Sequence, residues 1–528
     1  MSDAGGTRRA GVLVPLFSCP SDASWGIGDI GDIATLAAWL AAAGQRVLQL
    51  LPMNEMAPGL PSPYSAISAM AIDPIYIRVP DVPEFRAAGG EDALDDDVRS
   101  MLEAARRSGR IDYSRVRAAK GRALRSAFER FRAAEWSRDT ARAAGLRSFL
   151  AAQAWWVEDY ALFRALHGRD GERPWTEWPD ALRQREAGAL DRARRELAGE
   201  ILHYQYLQWI ADSQWHAARA AARARRVALF GDLPFMVDGD SADVWARQGQ
   251  FRLDASVGAP PDAFSAAGQD WGMPVYRWEA VEADGFRWLR DRARRSADLY
   301  DGYRVDHLVG FYRTYGRPHR EGEPFFTPDE ESAQTELGER VLTIFREPGP
   351  EIIAEDLGTV PDFVRASLRR LGIPGYRVLR WERRWNEEGQ PFVDPAEYPP
   401  ASVATSGTHD TEPLAVWWDA APAEERRELA ALETVRRLAG GRDVADQPFT
   451  PALRDTLLEA LFASGSSLLV LPLCDVFGWR DRINDPATIS DDNWTYRLPW
   501  PIDRLDEIPE ARERRDALRA WASRYGRL

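Results

Sequence analysis

The chain contains 528 residues, of which 45% are apolar and 28% are charged, a composition typical of a folded globular protein and unlike that of disordered or fibrous chains. Its formal net charge of -14 argues against nucleic acid or an anionic membrane as a partner, because the average surface field would repel a polyanion. A neutral substrate fits this charge better.

The cysteine content and the first residues indicate a cellular compartment. Cys19 and Cys474 are the only cysteines, too few for a disulfide framework, and this is typical of a reducing environment. Residues 1–10 lack the apolar core of a signal peptide, and no apolar run approaches the roughly 18 residues needed to cross a bilayer. We therefore expect a cytoplasmic protein.

Eight short apolar runs, separated by polar or glycine-rich breaks, follow the pattern of buried parallel strands. In chain order they cover residues 11–16, 46–51, 226–230, 302–306, 351–355, 376–380, 402–406 and 467–471. Two clear helical patterns lie between runs, one ending before Gly44 and one before Gly372. This alternation, with eight strands, predicts an α/β fold of the (β/α)₈ TIM-barrel type.

The segment between the second and third runs is too long for a single loop. It contains helical patterns, for example over residues 148–166. We therefore predict a mainly helical subdomain over residues 83–225, inserted into a single catalytic barrel of residues 1–528, with smaller insertions in other loops. The alternative is an open doubly wound sheet, but no glycine-rich phosphate fingerprint follows the first run.

Carboxylates follow several runs at the point where a barrel places its chemistry, the carboxyl ends of the strands. They are Asp232 and Asp240 after the third run, Asp306 at the end of the fourth, Glu355 and Asp356 at the end of the fifth, and Asp410, preceded by His409, after the seventh. We expect these acids to converge on one mouth. Each acid taken alone is equally open to interpretation as a helix N-cap or an ion-paired structural group.

Two of these acids match the needs of a retaining glycosidase, which uses two carboxyl groups about 5–5.5 Å apart. Arg304 lies on the same strand face as Asp306, where its guanidinium would hold Asp306 ionised as a nucleophile. Burial and a nearby like charge would raise the pKa of Glu355 and make it the general acid. Asp410 would hold substrate hydroxyls in the transition state, with His307 and His409 as neutral donors.

Other chemistries lack their signatures. The six histidines show neither H-x₃-H nor H-E-x-x-H spacing, so we expect no zinc. The G-x-S-x-G elbow of serine hydrolases is absent. Lys120, the only lysine, lies in a polar stretch without a phosphate-binding signature, which argues against pyridoxal phosphate. We expect neither a metal nor a cofactor.

Short motifs spread over nearly the whole chain carry a family resemblance. They cover residues 24–29, 62–65, 158–163, 231–234, 240–245, 268–272, 304–307, 354–358, 407–410, 482–484 and 493–494. As an ordered set they resemble the 4-α-glucanotransferases of glycoside hydrolase family 77, also called amylomaltases or disproportionating enzymes. The resemblance implies cleavage of α-1,4-glucans and transfer of the fragment to the 4-hydroxyl of another glucan or of glucose.

The resemblance also implies roles for individual residues. It makes Asp306 the nucleophile, Glu355 the acid/base and Asp410 the transition-state stabiliser, in agreement with the argument from strand ends. Sugar-binding roles are implied for Tyr64, Asp240, Gln269, Trp271, Arg304, His307, Asp356 and His409. For Tyr64 and Trp271 we favour stacking on a sugar ring over core packing.

The chain departs from the usual family pattern at several positions. Ala263 stands in place of a tyrosine, Met273 in place of an asparagine, Leu60 ends a loop that usually bears a tyrosine, Cys474 replaces a glutamine and Ala487 a glycine. Fewer aromatic faces would hold an acceptor sugar less firmly, so water would compete better and hydrolysis would take a larger share.

Two other functions stay open at this point. One is an α-1,4-glucan hydrolase or another glucan-remodelling enzyme that uses the same carboxylates. The other is a catalytically inactive glucan-binding scaffold, which the three intact carboxylates argue against.

Overall fold

A computed structural model describes residues 7–261, 268–486, 488 and 490–528 of the chain. Ala263 and Ala487 lie outside the described residues. The twelve strands of the described part are β1 (Arg9–Leu13), β2 (Val47–Gln49), β3 (Ala228–Leu233), β4 (Phe251–Ala259), β5 (Gln269–Tyr276), β6 (Gly302–Val305), β7 (Thr314–Pro318), β8 (Phe325–Thr327), β9 (Glu351–Ala354), β10 (Gly375–Val378), β11 (Ser402–Thr405) and β12 (Leu468–Pro472).

Eight of these strands close into a parallel barrel in the order β1-β2-β3-β6-β9-β10-β11-β12, and β12 pairs with β1. All eight apolar runs of the sequence became barrel strands, so the predicted fold class is confirmed. Each strand is short and its apolar side chains are buried; Val12, Leu48 and Ile353, for example, are fully covered. Parallel pairing brings the carboxyl ends of all eight strands to one end of the barrel, which we call the mouth.

The described part also contains nineteen helices, which lie between the strands or after the last one. They are α1 (Asp32–Ala42), α2 (Pro83–Ala87), α3 (Asp96–Arg107), α4 (Tyr113–Ala134), α5 (Ala141–Arg169), α6 (Asp180–Arg183), α7 (Ala187–Glu196), α8 (Ala198–Ala224), α9 (Ala242–Ala246), α10 (Trp278–Ala283), α11 (Arg287–Leu299), α12 (Glu331–Arg346), α13 (Asp362–Leu371), α14 (Leu414–Ala420), α15 (Ala423–Ala431), α16 (Glu433–Leu438), α17 (Pro451–Phe462), α18 (Leu473–Phe477) and α19 (Pro509–Arg524). Helix α13 ends at Gly372, whose φ of 63° is a left-handed conformation that glycine adopts without steric cost.

Helices α2 to α8 occupy the region between β2 and β3. The last of them, α8, packs against α5, α1 and β3, so it joins the other helices of this region to the barrel. The division of the chain into a barrel and an inserted subdomain over residues 83–225 stays a prediction.

A second sheet, which the eight runs of the sequence did not include, is formed by β4, β5, β7 and β8. Its strands are antiparallel in the order β5-β4-β7-β8. These strands belong to the connections that leave β3 and β6 at the mouth, so the sheet extends from that end of the barrel. Across the described ranges, no helix has both the length and the apolar content that crossing a membrane requires.

Candidate active site

Arg304 organises the acidic side chains at the mouth. It lies on β6 with only 5% of its surface exposed. One guanidinium nitrogen, Nη1, lies 2.7 Å from Asp232 Oδ2 and 2.8 Å from Asp306 Oδ1, while Nη2 lies 3.7 Å from Glu355 Oε2. Three carboxylates from three neighbouring strands therefore share one cation. A buried anion needs such a partner, because burial removes the water that otherwise stabilises its charge.

Glu355 follows β9 and lies in a pocket that favours its neutral form. Burial raises the pKa of Glu355 to about 8; Arg304 opposes this rise and the charge of Asp306 supports it. Its Oε2 accepts a hydrogen bond of 2.7 Å from the backbone N–H of His307. At neutral pH this carboxyl group holds a proton, as a general acid must before it acts.

Asp306 directly follows β6 and has a different environment. Its Oδ1 is ion-paired with Arg304, and its Oδ2 accepts a hydrogen bond of 3.4 Å from the backbone N–H of Phe235. One fifth of its side chain remains exposed, so a molecule in the mouth can reach it. Asp306 thus combines accessibility with a cation that compensates its negative charge.

Asp410 lies after β11, at the end of a chain of polar contacts. His409 Nε2 lies 3.2 Å from Asp410 Oδ2, and the Asn484 side-chain amide donates a 2.7 Å hydrogen bond to Asp410 Oδ1. Enclosure in the mouth opposes ionisation, but the nearby His409 and the Asn484 amide lower the pKa of Asp410 to about 2. The Asp410 carboxylate is therefore charged across the physiological range, with 40% of its side chain exposed.

Tyr64 connects two of these groups. Its hydroxyl donates to Asp232 Oδ2 at 2.7 Å and lies 3.0 Å from His409 Nε2. Its ring stacks on the His409 ring at a centroid distance of 5.3 Å and an interplanar angle of 16°. Tyr64 therefore supports His409 with one face of its ring, so at most the other face is available to a sugar.

The second sheet contributes Trp271 and Gln269 to the mouth. The Trp271 ring meets His307 edge to face at 4.7 Å, and its indole N–H donates to Gln269 Oε1 at 3.0 Å. Burial lowers the pKa of His307 to about 4, so this imidazole is neutral at physiological pH. Trp271 thus contacts His307 and Gln269 is bonded to Trp271, so both residues of β5 lie beside the segment that contains Arg304 and Asp306.

Two expected sugar ligands are engaged by protein groups elsewhere. Asp356 is 5% exposed, and its Oδ1 accepts a 2.7 Å hydrogen bond from the backbone N–H of Tyr376. Asp240 accepts from the backbone N–H of Trp175 at 2.9 Å and lies 2.8 Å from His167 Nε2. Neither carboxylate contacts Arg304 in the described structure. Asp240 keeps a quarter of its side chain exposed, so it retains room for a further donor.

Two functions of residues at the mouth could not be predicted from the strand ends. Asp232, identified there only as one of several acids, is the buried partner of Arg304; burial raises the pKa of Asp232 to about 6 although Arg304 opposes the rise. Asn484 and Arg482, which donates 2.8 Å to the Asp410 backbone oxygen, hold Asp410 in place. Arg482 and Asn484 lie within residues 482–484, one of the motifs that carry the family resemblance, and this motif was the available signal.

The barrel and its acidic mouth define the class of this protein as a (β/α)₈ protein with three carboxylates in distinct electrostatic environments. The chain matches the family model described as 4-alpha-glucanotransferase over residues 14–503. It is 34% identical to a 4-alpha-glucanotransferase of Thermus thermophilus, over 96% of this chain and 99% of the relative, and 34% identical to one of Synechocystis sp., over 93% and 94%. The chain therefore belongs to the 4-alpha-glucanotransferase family.

Solved structures agree with this assignment. The fold matches an amylomaltase from Streptococcus agalactiae in complex with acarbose, with a TM-score of 0.81 and 25% identity over 98% of this chain and 99% of that one. An amylomaltase from Corynebacterium glutamicum matches with the same TM-score and 28% identity, over 97% of this chain and 75% of the other. The barrel of this chain is thus the amylomaltase barrel.

Proposed function

We propose that this protein is a 4-alpha-glucanotransferase that cleaves an α-1,4-glucan with retention of configuration and transfers the fragment to the 4-hydroxyl of another glucan or of glucose. Family membership over residues 14–503 and the names of the relatives support this activity. Maltooligosaccharides, glycogen or starch are the donors that this chemistry requires. These substrates are neutral, which suits a chain with a net charge of -14.

In the first half of the reaction Asp306 attacks the anomeric carbon of the donor. The bond from this carbon to the leaving oxygen breaks while Glu355 gives that oxygen its proton. The products are a glycosyl ester on Asp306 and a shortened glucan. In the second half, ionised Glu355 takes the proton of the acceptor hydroxyl, whose oxygen attacks the anomeric carbon and releases Asp306. Inversion occurs twice, so configuration is retained.

One observation carries this assignment of roles. Around the single cation Arg304, Asp306 is accessible and ion-paired at 2.8 Å, whereas Glu355 is held at 3.7 Å with a pKa raised to about 8. A site that contains both a nucleophile and an acid requires two carboxyl groups whose environments favour the ionised form of one and the protonated form of the other. The pKa of about 2 makes Asp410 a permanent anion, suited to a transition state with positive charge.

The remaining side chains of the mouth act on the sugar. His307, whose pKa is lowered by burial to about 4, and His409 offer ring nitrogens to hydroxyl groups. Trp271 and Gln269 bring an apolar face and an amide from the second sheet. Arg304 and Tyr64 act mainly through the carboxylates and His409 that they contact. Asp240 and Asp356 remain proposed ligands, each already bound to protein donors.

Incubation of the protein with maltotriose tests the proposed function. Transfer yields glucose together with a ladder of maltooligosaccharides longer than the substrate. Hydrolysis yields only products shorter than the substrate. That result would contradict the proposed transferase activity and identify the protein as a glucan hydrolase. The exposure of Leu60, at 45%, on a loop that in the family usually bears a tyrosine, favours some hydrolysis beside transfer.

We also propose that the protein acts in the cytoplasm. Both cysteines are buried free thiols, and the described helices do not cross a membrane. Fractionation of cells that express the natural gene, followed by the maltotriose assay on each fraction, tests this location.

A further inference from the structure

A recess of about 390 Å³ lies at the end of the barrel opposite the mouth. Four arginines line it: Arg9 begins β1, Arg46 precedes β2, Arg223 lies in the last turn of α8, and Arg226 precedes β3. Asp301, which precedes β6, is the acidic residue of the lining. The recess therefore gathers cations in a chain whose overall charge is -14.

Two of the four arginines already have acidic partners. Arg9 pairs with Glu351 at 2.6 Å. Arg223 donates to Asp301 Oδ1 at 2.6 Å, but Arg219 donates to the same oxygen at 3.0 Å, and Asp301 Oδ2 accepts the backbone N–H of Leu229 at 2.8 Å. Both oxygens of Asp301 thus already accept hydrogen bonds, and its single negative charge is shared by Arg219 and Arg223.

The other two arginines lack such partners. Arg46 donates from Nη1 only to the backbone oxygen of Gln45, at 3.3 Å, and the Arg226 side chain makes neither an ion pair nor a hydrogen bond within the part of the chain that the structure describes. Arg46 and Arg226 line the same recess, and partial burial together with the charges of Arg226 and Arg519 lowers the pKa of Arg46.

The guanidinium group indicates which ligand would fit this recess. Its planar fork of N–H donors matches the oxygens of phosphate, and a dianion between two such forks removes their mutual repulsion. The volume lies within the range of about 300–1,000 Å³ that is typical of small-molecule sites and exceeds what one inorganic ion fills. We propose that this recess binds a phosphate-bearing small molecule, with the phosphate between Arg46 and Arg226.

The site is separate from the proposed transferase chemistry, because it lies at the amino ends of the strands whose carboxyl ends carry the acids. A ligand there contacts the residues before β2 and β3, which are joined by the 2.8 Å hydrogen bond from the Ala228 N–H to the Arg46 oxygen. A ligand that binds only the folded chain stabilises it according to its concentration. Phosphate binding should therefore raise the melting temperature as well as give a calorimetric signal.

Titration calorimetry of the full chain tests the proposal, with ribose 5-phosphate, inorganic phosphate and neutral ribose as probes at constant ionic strength. We expect saturable binding of at least one phosphate probe and none of ribose. The tighter phosphate probe distinguishes an ester from the free ion. The double variant Arg46→Gln and Arg226→Gln should raise Kd at least tenfold, whereas the control Arg225→Gln, one residue away but outside the recess, should leave Kd unchanged.

Circular dichroism and maltotriose turnover, both expected at wild-type levels, show that the double variant is folded. Absence of binding by both phosphate probes would overturn the proposal. An unchanged Kd in the folded double variant, or an equal weakening in Arg225→Gln, would overturn it too, since binding would then reflect general surface charge. These outcomes do not depend on whether the mouth transfers or hydrolyses glucans.

Discussion

The two ends of the barrel differ in which charge is in excess. At the mouth, Arg304 is one cation among Asp232, Asp306 and Glu355. At the amino ends of the strands, Arg46 and Arg226 face a recess whose acid, Asp301, is already occupied. Helices after the strands of such a barrel direct their positive N-terminal ends to the mouth and their negative C-terminal ends to the opposite side.

A charged side chain therefore indicates a site in this molecule when its pairing with opposite charges is incomplete, and not by its charge alone. Asp73, for example, is buried, and its two oxygens accept hydrogen bonds from Arg117 and from the backbone N–H groups of Met56 and Ile75. At the mouth, burial and, to a lesser extent, the charge of Asp306 raise the pKa of Glu355 to about 8, although Arg304 opposes the rise.

Loss of the nucleophile should have the largest effect. Asp306→Asn keeps the shape of the side chain but removes the attacking charge, so transfer from maltotriose should fall by about three orders of magnitude or more. The rate of glucose release measures this effect. Residual activity above about a tenth of the wild-type rate, in a variant with a normal thermal melt, would rule out a role as nucleophile.

Loss of the acid should depend on the donor. Glu355→Gln cannot protonate a sugar leaving group, so natural glucans should react about 100- to 10,000-fold more slowly. A glycosyl fluoride needs no proton for departure and should still form the ester on Asp306. Mass spectrometry of the intact protein detects that ester. Equal losses on maltotriose and on the fluoride would assign the acid to another residue.

Loss of the amide that holds Asp410 should have an intermediate effect. Asn484→Ala removes the 2.7 Å hydrogen bond to Oδ1, so the pKa of Asp410 should rise from about 2 and kcat/KM at pH 7 should fall about 10- to 100-fold. Asp410 still ionises at pH 7, so the acidic limb of the pH profile should move to higher pH. Thr495→Ala, on the same loop, is the control and should leave that limb in place. A fall in rate with an unmoved acidic limb in Asn484→Ala would instead mean a general loss of structure.

The raised pKa of Glu355 predicts a gain in stability on its removal. The folded chain holds this proton up to about pH 8, whereas an ordinary glutamate releases it near 4.5, so the stability from this group is full below pH 4.5 and is lost as the pH rises through 8. Glu355→Gln stays neutral, and its free energy of unfolding should exceed that of the wild type by a few kcal/mol, at most about 5, at pH 9 but not at pH 4. Urea unfolding at both values measures this. A difference that does not vary with pH would contradict the protonated state.

The smallest effect concerns the acceptor. Leu60→Tyr restores an aromatic face on an exposed loop and should raise the ratio of transfer products to total reducing ends about two- to fivefold at fixed maltotriose. The companion variant Ala263→Tyr tests the second missing tyrosine. Leu253→Tyr, at an apolar position of similar exposure, 41%, is the control. An unchanged ratio in both Leu60→Tyr and Ala263→Tyr would show that these positions do not control partition between sugar and water.

The barrel could be predicted because its signals are local. Each strand is a short apolar run, and the ends of α1 and α13 are marked by Gly44 and Gly372, whose φ values are positive. The second sheet has no comparable signal: β4, over Phe251–Ala259, places the exposed Leu253 and Asp254 among buried residues and shows neither a continuous apolar run nor strict alternation. Antiparallel pairing of β4 with β7 is decided by contacts between segments about 60 residues apart, which a single sequence does not display.

In the site, too, local sequence signals could be predicted and contacts between distant segments could not. Asp306, Glu355 and Asp410 follow predicted strands, so their arrival at the mouth follows from the barrel itself. The hydrogen-bond partners of these carboxylates are harder to predict, because a carboxylate binds whichever donor the fold places near it. Asp240 contacts His167, which is 73 residues away in α5, and Asp356 binds the backbone of β10. Family resemblance named both as sugar ligands, and their engagement by protein donors becomes visible only in three dimensions.

Arg304 lies between Asp306 and Glu355, which exchange one negative charge during the proposed reaction cycle. Before attack, Asp306 is the anion and Glu355 is neutral. Once the ester forms, Asp306 is neutral and Glu355, having given up its proton, is the anion. The guanidinium, 2.8 Å from one and 3.7 Å from the other, remains beside a single negative charge of this pair in both states. Little rearrangement of the surrounding dipoles is then needed at either step, and the same rigid site serves the outward and the return half of the exchange.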